Sequence, residues 1–189
     1  MAGTNRALLI KSLHRFSEAA ARKSDRPCIF LSHISIDRPT AVAIGNYIME
    51  KGDLDIYLDV YDEELQRAAN AGNAKMVTKL IEEGLEQSSH VMCLVSKGTI
   101  QSWWVPYELG FGKRAKKELS TLTLKDVDYL PAYLEISVIL RGTKSLNEYL
   151  SRMRSEQYST GRIEKVYGAT LVENTQQFHP LDNHLNWKL

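Results

Sequence analysis

Val91-Met92-Cys93-Leu94-Val95 is the most apolar run of the chain. Its uninterrupted hydrophobicity is what a parallel strand covered on both faces requires, and Ser96-Lys97-Gly98-Thr99 ends it. Upstream, Cys28-Ile29-Phe30-Leu31 reads as a second buried strand, followed by the polar loop 32–39. Ala41, Ile44, Gly45 and Ile48 then stand at i, i+3, i+4 and i+7, the spacing of an amphipathic helix, with Gly52 as its stop signal. Asp55-Ile56-Tyr57-Leu58-Asp59 gives another strand, and Val77, Leu80, Ile81, Gly84 and Leu85 another helix. Downstream, Ser102 is placed to cap a helix that holds Pro106 in its first turn, where the missing N–H costs least. Two more strands follow within 121–124 and 136–140, and Leu146, Tyr149, Leu150 and Met153 mark a closing helix.

Strands that alternate with helices form βαβ units, whose crossovers are right-handed and whose sheet is parallel. The expected fold is therefore α/β and flavodoxin-like, with about five strands in the order 2-1-3-4-5 flanked by helices. Leu9, Leu13, Phe16 and Ala20 predict a leading helix within 1–25. From residue 157 onward no period is legible.

At 189 residues the chain fits one domain of ordinary size, and 43% hydrophobic with 25% charged residues is the composition of a folded globular protein. Lys and Arg number 24 against 23 Asp and Glu, so no basic excess exists to drive nucleic-acid binding. Cys28 and Cys93 both lie in apolar runs and read as core residues. The scattered histidines and the absence of a Cys-x-x-Cys predict no metal site. No stretch is apolar and long enough to span a bilayer, and Ala7-Leu8-Leu9-Ile10 is too short for a signal sequence, so a cytoplasmic location is expected.

In an open parallel sheet of this order, ligands bind beyond the carboxyl ends of the first and third strands. Two loops meet there. Residues 32–37 offer Ser32, His33, Ser35 and Asp37, and residues 96–108 offer Thr99, Ser102, Trp103, Trp104, Tyr107 and Glu108. Trp104 and Glu108, at i and i+4, share a helix face. Spacing alone favours the plainer alternative, a tryptophan packed on the sheet and a solvated glutamate. Asp37-Arg38-Pro39 suits a helix start, so Asp37 reads equally as a cap. His33 reads first as a residue that positions loop backbone, and Asp59 as a turn former.

Taken in order, Ile29-Phe30-Leu31-Ser32-His33-Ile34-Ser35-Ile36-Asp37, Asp55-Ile56-Tyr57-Leu58-Asp59, Ile81-Glu82-Glu83-Gly84-Leu85-Glu86-Gln87-Ser88, Val95-Ser96 and Trp104-Val105-Pro106-Tyr107-Glu108-Leu109 resemble the bacterial Toll/interleukin-1 receptor (TIR) domain. The resemblance covers residues 26–155, leaving 1–25 as the leading helix and 156–189 as an extension of unknown role. It implies the flavodoxin-like fold. In the catalytic branch of the family it implies an NAD glycohydrolase or ADP-ribosyl cyclase that cleaves the nicotinamide–ribose bond, with the glutamate of Trp-x-x-x-Glu, here Glu108, essential. NAD is then the substrate, and no separate cofactor is expected.

That chemistry suits the residue types. Breaking the bond develops oxocarbenium charge on the ribose, which a fixed carboxylate stabilises. Ser32, His33, Ser35, Asp37, Trp104 and Tyr107 are the substrate-binding candidates, with the Trp104 indole and Tyr107 phenol expected to sandwich the planar ring. Burial of Glu108 would oppose its ionisation, so hydroxyl donors such as Ser32 and Ser35 are expected to offset it.

The resemblance further implies self-association that completes the site. A free-standing chain of this kind is similar to TIR NADases of Thoeris-type antiphage systems, in which a separate effector protein answers the nucleotide product. Two features depart from the family pattern. Residues 61–76 lack its Gly-Asp-Ser-like turn and are rich in Ala and Asn, and the terminal extension has no counterpart. Two other readings stay open: a non-catalytic TIR interaction module, and a nucleoside N-glycosidase or deoxyribosyltransferase on a similar frame. A phosphoacceptor receiver is poorly supported and is set aside, since the first strand carries no acidic pair and Val95 is followed by serine.

Overall fold

The computed structural model describes residues 2–8, 26–159 and 179–186. The expected leading helix at Leu9, Leu13, Phe16 and Ala20 lies outside them. Five strands, β1 (Cys28–Ser32), β2 (Asp55–Tyr57), β3 (His90–Val95), β4 (Glu118–Thr123) and β5 (Val138–Leu140), form one sheet in the order β2-β1-β3-β4-β5 with every pairing parallel. The flanking helices are α1 (Arg38–Gly52), α2 (Glu63–Asn70), α3 (Ala74–Gln87), α4 (Trp104–Arg114) and α5 (Thr143–Ser159).

Side chains alternate across each strand, so the apolar strands feed two cores at once. Ile29, Leu31, Met92 and Leu94 face α1 and α5, where Ile44, Ile48, Leu146 and Leu150 meet them. Cys28, Phe30, Val91, Cys93 and Val95 face α2, α3 and α4, packing on Leu65, Leu80, Ile81, Leu85, Val105 and Leu109. This alternation fixes what reaches the site. Ser32 pairs in register with Cys93, and both fall on the α4 side of the sheet.

Two close approaches hold that layer tight. A Cβ on Gly84 of α3 would stand 2.4 Å from the Tyr57 ring, and one on Gly112 of α4 would stand 2.9 Å from Val91 Cγ2. Glycine at both places lets the helices lie directly on the sheet. Tyr57 stacks on Phe30 with ring centroids 5.5 Å apart, and its hydroxyl donates to Asp62 Oδ2 at 2.6 Å. The other oxygen of Asp62 accepts from Glu64 N and Leu65 N, capping α2.

Several elements differ from the sequence reading at their ends. Strand β2 stops at Tyr57, and Asp59–Tyr61 turns as a 3-10 helix toward α2. The Ala-rich stretch 61–76 is helical on both sides of a turn at Gly72, whose φ is +65°. Strand β4 begins three residues earlier than expected, and β5 begins at Val138 because Ala132–Ile136 is a 3-10 turn. Helix α4 begins at Trp104 rather than directly after Ser102, yet Ser102 Oγ still accepts from Val105 N at 3.2 Å.

Both ends of the described chain are stitched to this frame. At the amino ends of the strands, Arg6 pairs with Asp55 at 2.9 Å and donates to Gln87 O and Arg26 O, while Asn5 bridges Ile56 on the edge of the sheet. Toward the other terminus, Leu181 and Leu185 enter the core on the α1 and α5 side, His179 packs on Tyr47, and His184 Nδ1 lies 3.0 Å from Thr40 Oγ1.

Candidate active site

Helix α4 buries Val105, Glu108, Leu109 and Gly112, the i, i+3, i+4, i+7 stripe of a core-facing helix. Glu108 thus occupies a core position, only 4% exposed. The expectation of a solvated glutamate is corrected here: the register that buries Leu109 and Gly112 carries Glu108 under the sheet with them. Ser32, at the carboxyl end of β1, donates its hydroxyl proton to Glu108 Oε2. The hydroxyl and carboxyl therefore meet at the β1–β3 junction, where the strand order reverses.

Electrostatics follow from that burial. Loss of solvation pushes the Glu108 carboxyl up from 4.5 to about 8; the Ser32 hydrogen bond opposes this, and the negative charge of Asp59 adds to it. Cys93, beside Ser32, has its thiol pushed up to about 12 by burial and by the neighbouring Glu108 charge. It stays protonated and serves as a wall rather than a nucleophile.

His33 follows Ser32. Its Nδ1 lies 3.0 Å from Leu31 O, and since a carbonyl only accepts, that nitrogen carries a proton. Nε2 is then the atom that faces Asp59 Oδ1, 3.7 Å away. Burial raises the Asp59 carboxyl, while the charges of His33 and Arg38 lower it. Two buried polar atoms, Asp59 Oδ1 and the Tyr133 hydroxyl, have no hydrogen-bond partner among the described residues. Tyr133 lies within electrostatic reach of Cys93.

The other candidates lie farther out. Ser35 is exposed on the 3-10 turn Ser35–Asp37. Asp37 occupies the cap position of α1, yet its side chain accepts from no helix N–H and its buried Oδ2 has no partner among the described residues. The capping role expected of it is corrected accordingly. Trp104 and Tyr107 contact each other edge to face, with ring centroids 5.8 Å apart at 85°. Rings in mutual contact leave no slot between them, which corrects the expected sandwich. The Tyr107 hydroxyl donates to Glu82 on α3, so Tyr107 braces α4 against α3, and Trp104, 39% exposed, keeps a face open beside the loops.

The structure thus unites Ser32 and Glu108 directly and sets His33 beside them through Asp59. Asp59, Cys93 and Tyr133 are additions that the residue-by-residue reading missed. Asp59 was legible in one respect, as an acid just past the carboxyl end of a strand that neighbours β1. Tyr133, reached through a 3-10 turn between β4 and β5, left no such mark.

Comparison with known proteins identifies the family. The family model described as "Thoeris protein ThsB, TIR-like domain" matches residues 30–127, just over half of the chain. A curated protein of Bacillus cereus (strain MSX-D12), named "Probable 3' cyclic ADP-D-ribose synthase ThsB'", is 26% identical over 106 residues, 56% of this chain. The chain spans about half of that relative's length, 53%. The crystal structure of the TIR domain of the Toll-related receptor TRR-2 from Hydra magnipapillata superposes with a TM-score of 0.51 at 10% identity, covering 69% of this chain and 97% of that one. That last likeness concerns the fold.

Proposed function

The chain belongs to the Thoeris ThsB TIR-like domain family, and from that membership we propose that it is an NAD glycohydrolase or ADP-ribosyl cyclase, with Glu108 as its catalytic carboxylate. The observation that carries this reading is a carboxyl group in the core stripe of α4, held by Ser32 at the β1–β3 junction. An ionisable group buried in a core is costly, and a protein keeps one where its chemistry has work to do.

In the proposed reaction the C–N bond between ribose and nicotinamide breaks heterolytically. The bonding pair leaves with the ring, which departs as neutral nicotinamide, and positive charge develops at the ribosyl carbon. Ionised Glu108 stabilises that charge, and dry walls such as Cys93 and Val105 strengthen its field. The cationic ring of NAD itself favours the ionised form of Glu108 on binding. Trp104 supplies one flat face for the planar ring, while Ser35, Asp37 and His33 border the path toward it. A hydroxyl of water or of the ADP-ribose portion then bonds to the ribosyl carbon and loses its proton to solvent, giving ADP-ribose or a cyclic product one water lighter. The name of the Bacillus cereus relative supports the cyclic outcome.

The reading extends to partners. Ile36, Ile100 and Trp103 expose apolar surface on the loops that frame the site, which supports self-association there. A nucleotide product would act through a separate effector protein in antiphage defence, in the cytoplasm. Among the described residues no helix is long and apolar enough to cross a membrane. Mass spectrometry of the products formed from purified protein and NAD tests the proposal. Nicotinamide together with ADP-ribose or a cyclic product one water lighter supports it, and intact NAD under self-associating conditions contradicts it.

A further inference from the structure

Residues 179–186 tie together positions at the carboxyl ends of the strands, the edge of the sheet that also carries Ser32 and Glu108. Lys125 N, just past β4, donates to His184 O at 2.8 Å, and Thr143 N, at the start of α5, donates to Asn186 O at 2.7 Å. Thr40 Oγ1, in the first turn of α1, lies 3.0 Å from His184 Nδ1. The segment thus joins the starts of two helices to the exit of β4. Leu181 and Leu185 seat it in the core, and His179, 5% exposed, stands at its entry. The His179 ring is bonded at both nitrogens. Nδ1 stands 3.1 Å from Leu181 N, and because a backbone N–H only donates, Nδ1 carries no proton. Nε2 then carries the ring proton and donates to the Tyr47 hydroxyl oxygen at 3.1 Å, while that hydroxyl gives its own proton to Asn147 Oδ1 at 2.7 Å. This chain of bonds needs the neutral ring in one tautomer.

We infer that residues 179–186 form a clasp across the carboxyl ends of the strands, which closes on neutral His179 and opens when that ring is protonated. A second proton must go to Nδ1. It would set two N–H groups against each other, break the bond from Leu181 N and leave a cation in the core. Among the described residues, Tyr47 faces the ring from α1, with centroids 4.9 Å apart, and Asn147 of α5 stands behind the Tyr47 hydroxyl. Tyr149 of α5 shares this core and carries the Arg152 guanidinium over its own ring at 5.1 Å. In the clasp itself Asp182 Oδ2 accepts from His179 N at 3.0 Å, and Lys125 Nζ donates to Asp182 O at 2.9 Å. Burial lowers the docked His179 below its ordinary 6.5, and the Asp182 charge opposes that without reversing it. Docking is therefore complete above 6.5, the value of the released ring, and is lost as pH falls below it. His184 is no such switch, because the Thr40 hydroxyl both donates and accepts and keeps its bond to either form of that ring.

The test is nitrogen-15 NMR of the full chain between about pH 7.5 and 4.5. It follows the Lys125 and Thr143 amides, which bond to the clasp, together with the His179 ring nitrogens and the amides of β3. In the wild type the two clasp amides are expected to lose their bonded shifts as the His179 ring gains charge, while the β3 amides stay in place. His179→Asn offers Leu181 N–H a side-chain oxygen that does not titrate, and is expected to keep both amides bonded through the whole range. If that variant does not fold, Tyr47→Phe serves instead. It removes the Nε2 partner, weakens the docked state and should move release to higher pH by about half a unit or more. Clasp amides still bonded at the acid end, or released only when β3 unfolds, overturn the inference. So does a release that persists unchanged in His179→Asn, or one that stays at the wild-type pH in Tyr47→Phe.

Discussion

Ser32 Oγ donates a hydrogen bond to Glu108 Oε2, joining the carboxyl end of β1 to the buried face of α4. Among the described residues that bond links sheet and helix at the strand-order reversal, and it favours the charged form of the buried carboxyl. Removing it should therefore change the pH at which the site works before it changes the fold.

The anion is the active form in the proposed reaction, so kcat/KM should rise with pH through about 8, the value for the free protein. Ser32→Ala removes a donor to the anion and should move this limb to higher pH by about half a unit or more. In the complex the nicotinamide cation favours ionisation, so the corresponding limb in kcat should lie at lower pH than in kcat/KM. Steady-state rates across pH 6 to 9.5 check both shifts, and a Ser32→Ala limb displaced to lower pH would show that the sign is wrong.

Stability carries the same signature. The folded-state value of Glu108 is raised above its ordinary 4.5, so its contribution is fully present below that pH and is lost as pH rises through about 8. Glu108→Gln removes the ionisation. The variant should unfold at a higher temperature than the wild type at pH 9, by upwards of ~1 kcal/mol in stability, with the gap closing toward pH 5. Thermal melts at the two pH values decide the matter, and equal gaps at both would mean that Glu108 is not the buried titrating group.

Trp104→Ala should lower activity more than Trp103→Ala. Trp104 is 39% exposed and packs on Tyr107, whereas Trp103 is 91% exposed ahead of the helix. Removing the Trp104 indole takes away a face beside the site and should cost several-fold or more in kcat/KM, while Trp103→Ala should matter mainly for self-association. Kinetics on variants matched for thermal stability, with size analysis of the same samples, separates the two effects.

The segment 179–186 should behave as part of the domain. Leu185 is 1% exposed in the α1 and α5 core, and Asn186 O accepts from Thr143 N at 2.7 Å at the start of α5. Leu185→Ala should destabilise the protein by about 2–5 kcal/mol, measurable by urea denaturation. A loss below ~0.5 kcal/mol would show that this turn rests on the surface without contributing to the core.

Much of this architecture was legible because the apolar runs carry it. Cys28-Ile29-Phe30-Leu31 and Val91-Met92-Cys93-Leu94-Val95 read as strands covered on both faces, and the helices between them point to a parallel sheet. Glu108 was legible in kind but not in burial. Trp104 and Glu108 share a face by spacing, yet which face the sheet covers depends on Val105, Leu109 and Gly112 together. Asp59 and His33 were read as local turn and loop residues because their meeting is tertiary, made by the ends of two neighbouring strands. The Trp104 and Tyr107 arrangement depended on Glu82 of α3, which no local pattern connects to them.

The central claim is that one buried carboxylate, Glu108, drives cleavage of the nicotinamide–ribose bond. Nicotinamide release from NAD, followed over time for the wild type and for a folded Glu108→Gln variant at equal concentration, tests it most directly. The account predicts release by the wild type and a loss on the order of a hundredfold or more in the variant, with its sheet and helices intact by circular dichroism. Near-native release by a folded Glu108→Gln protein would contradict it.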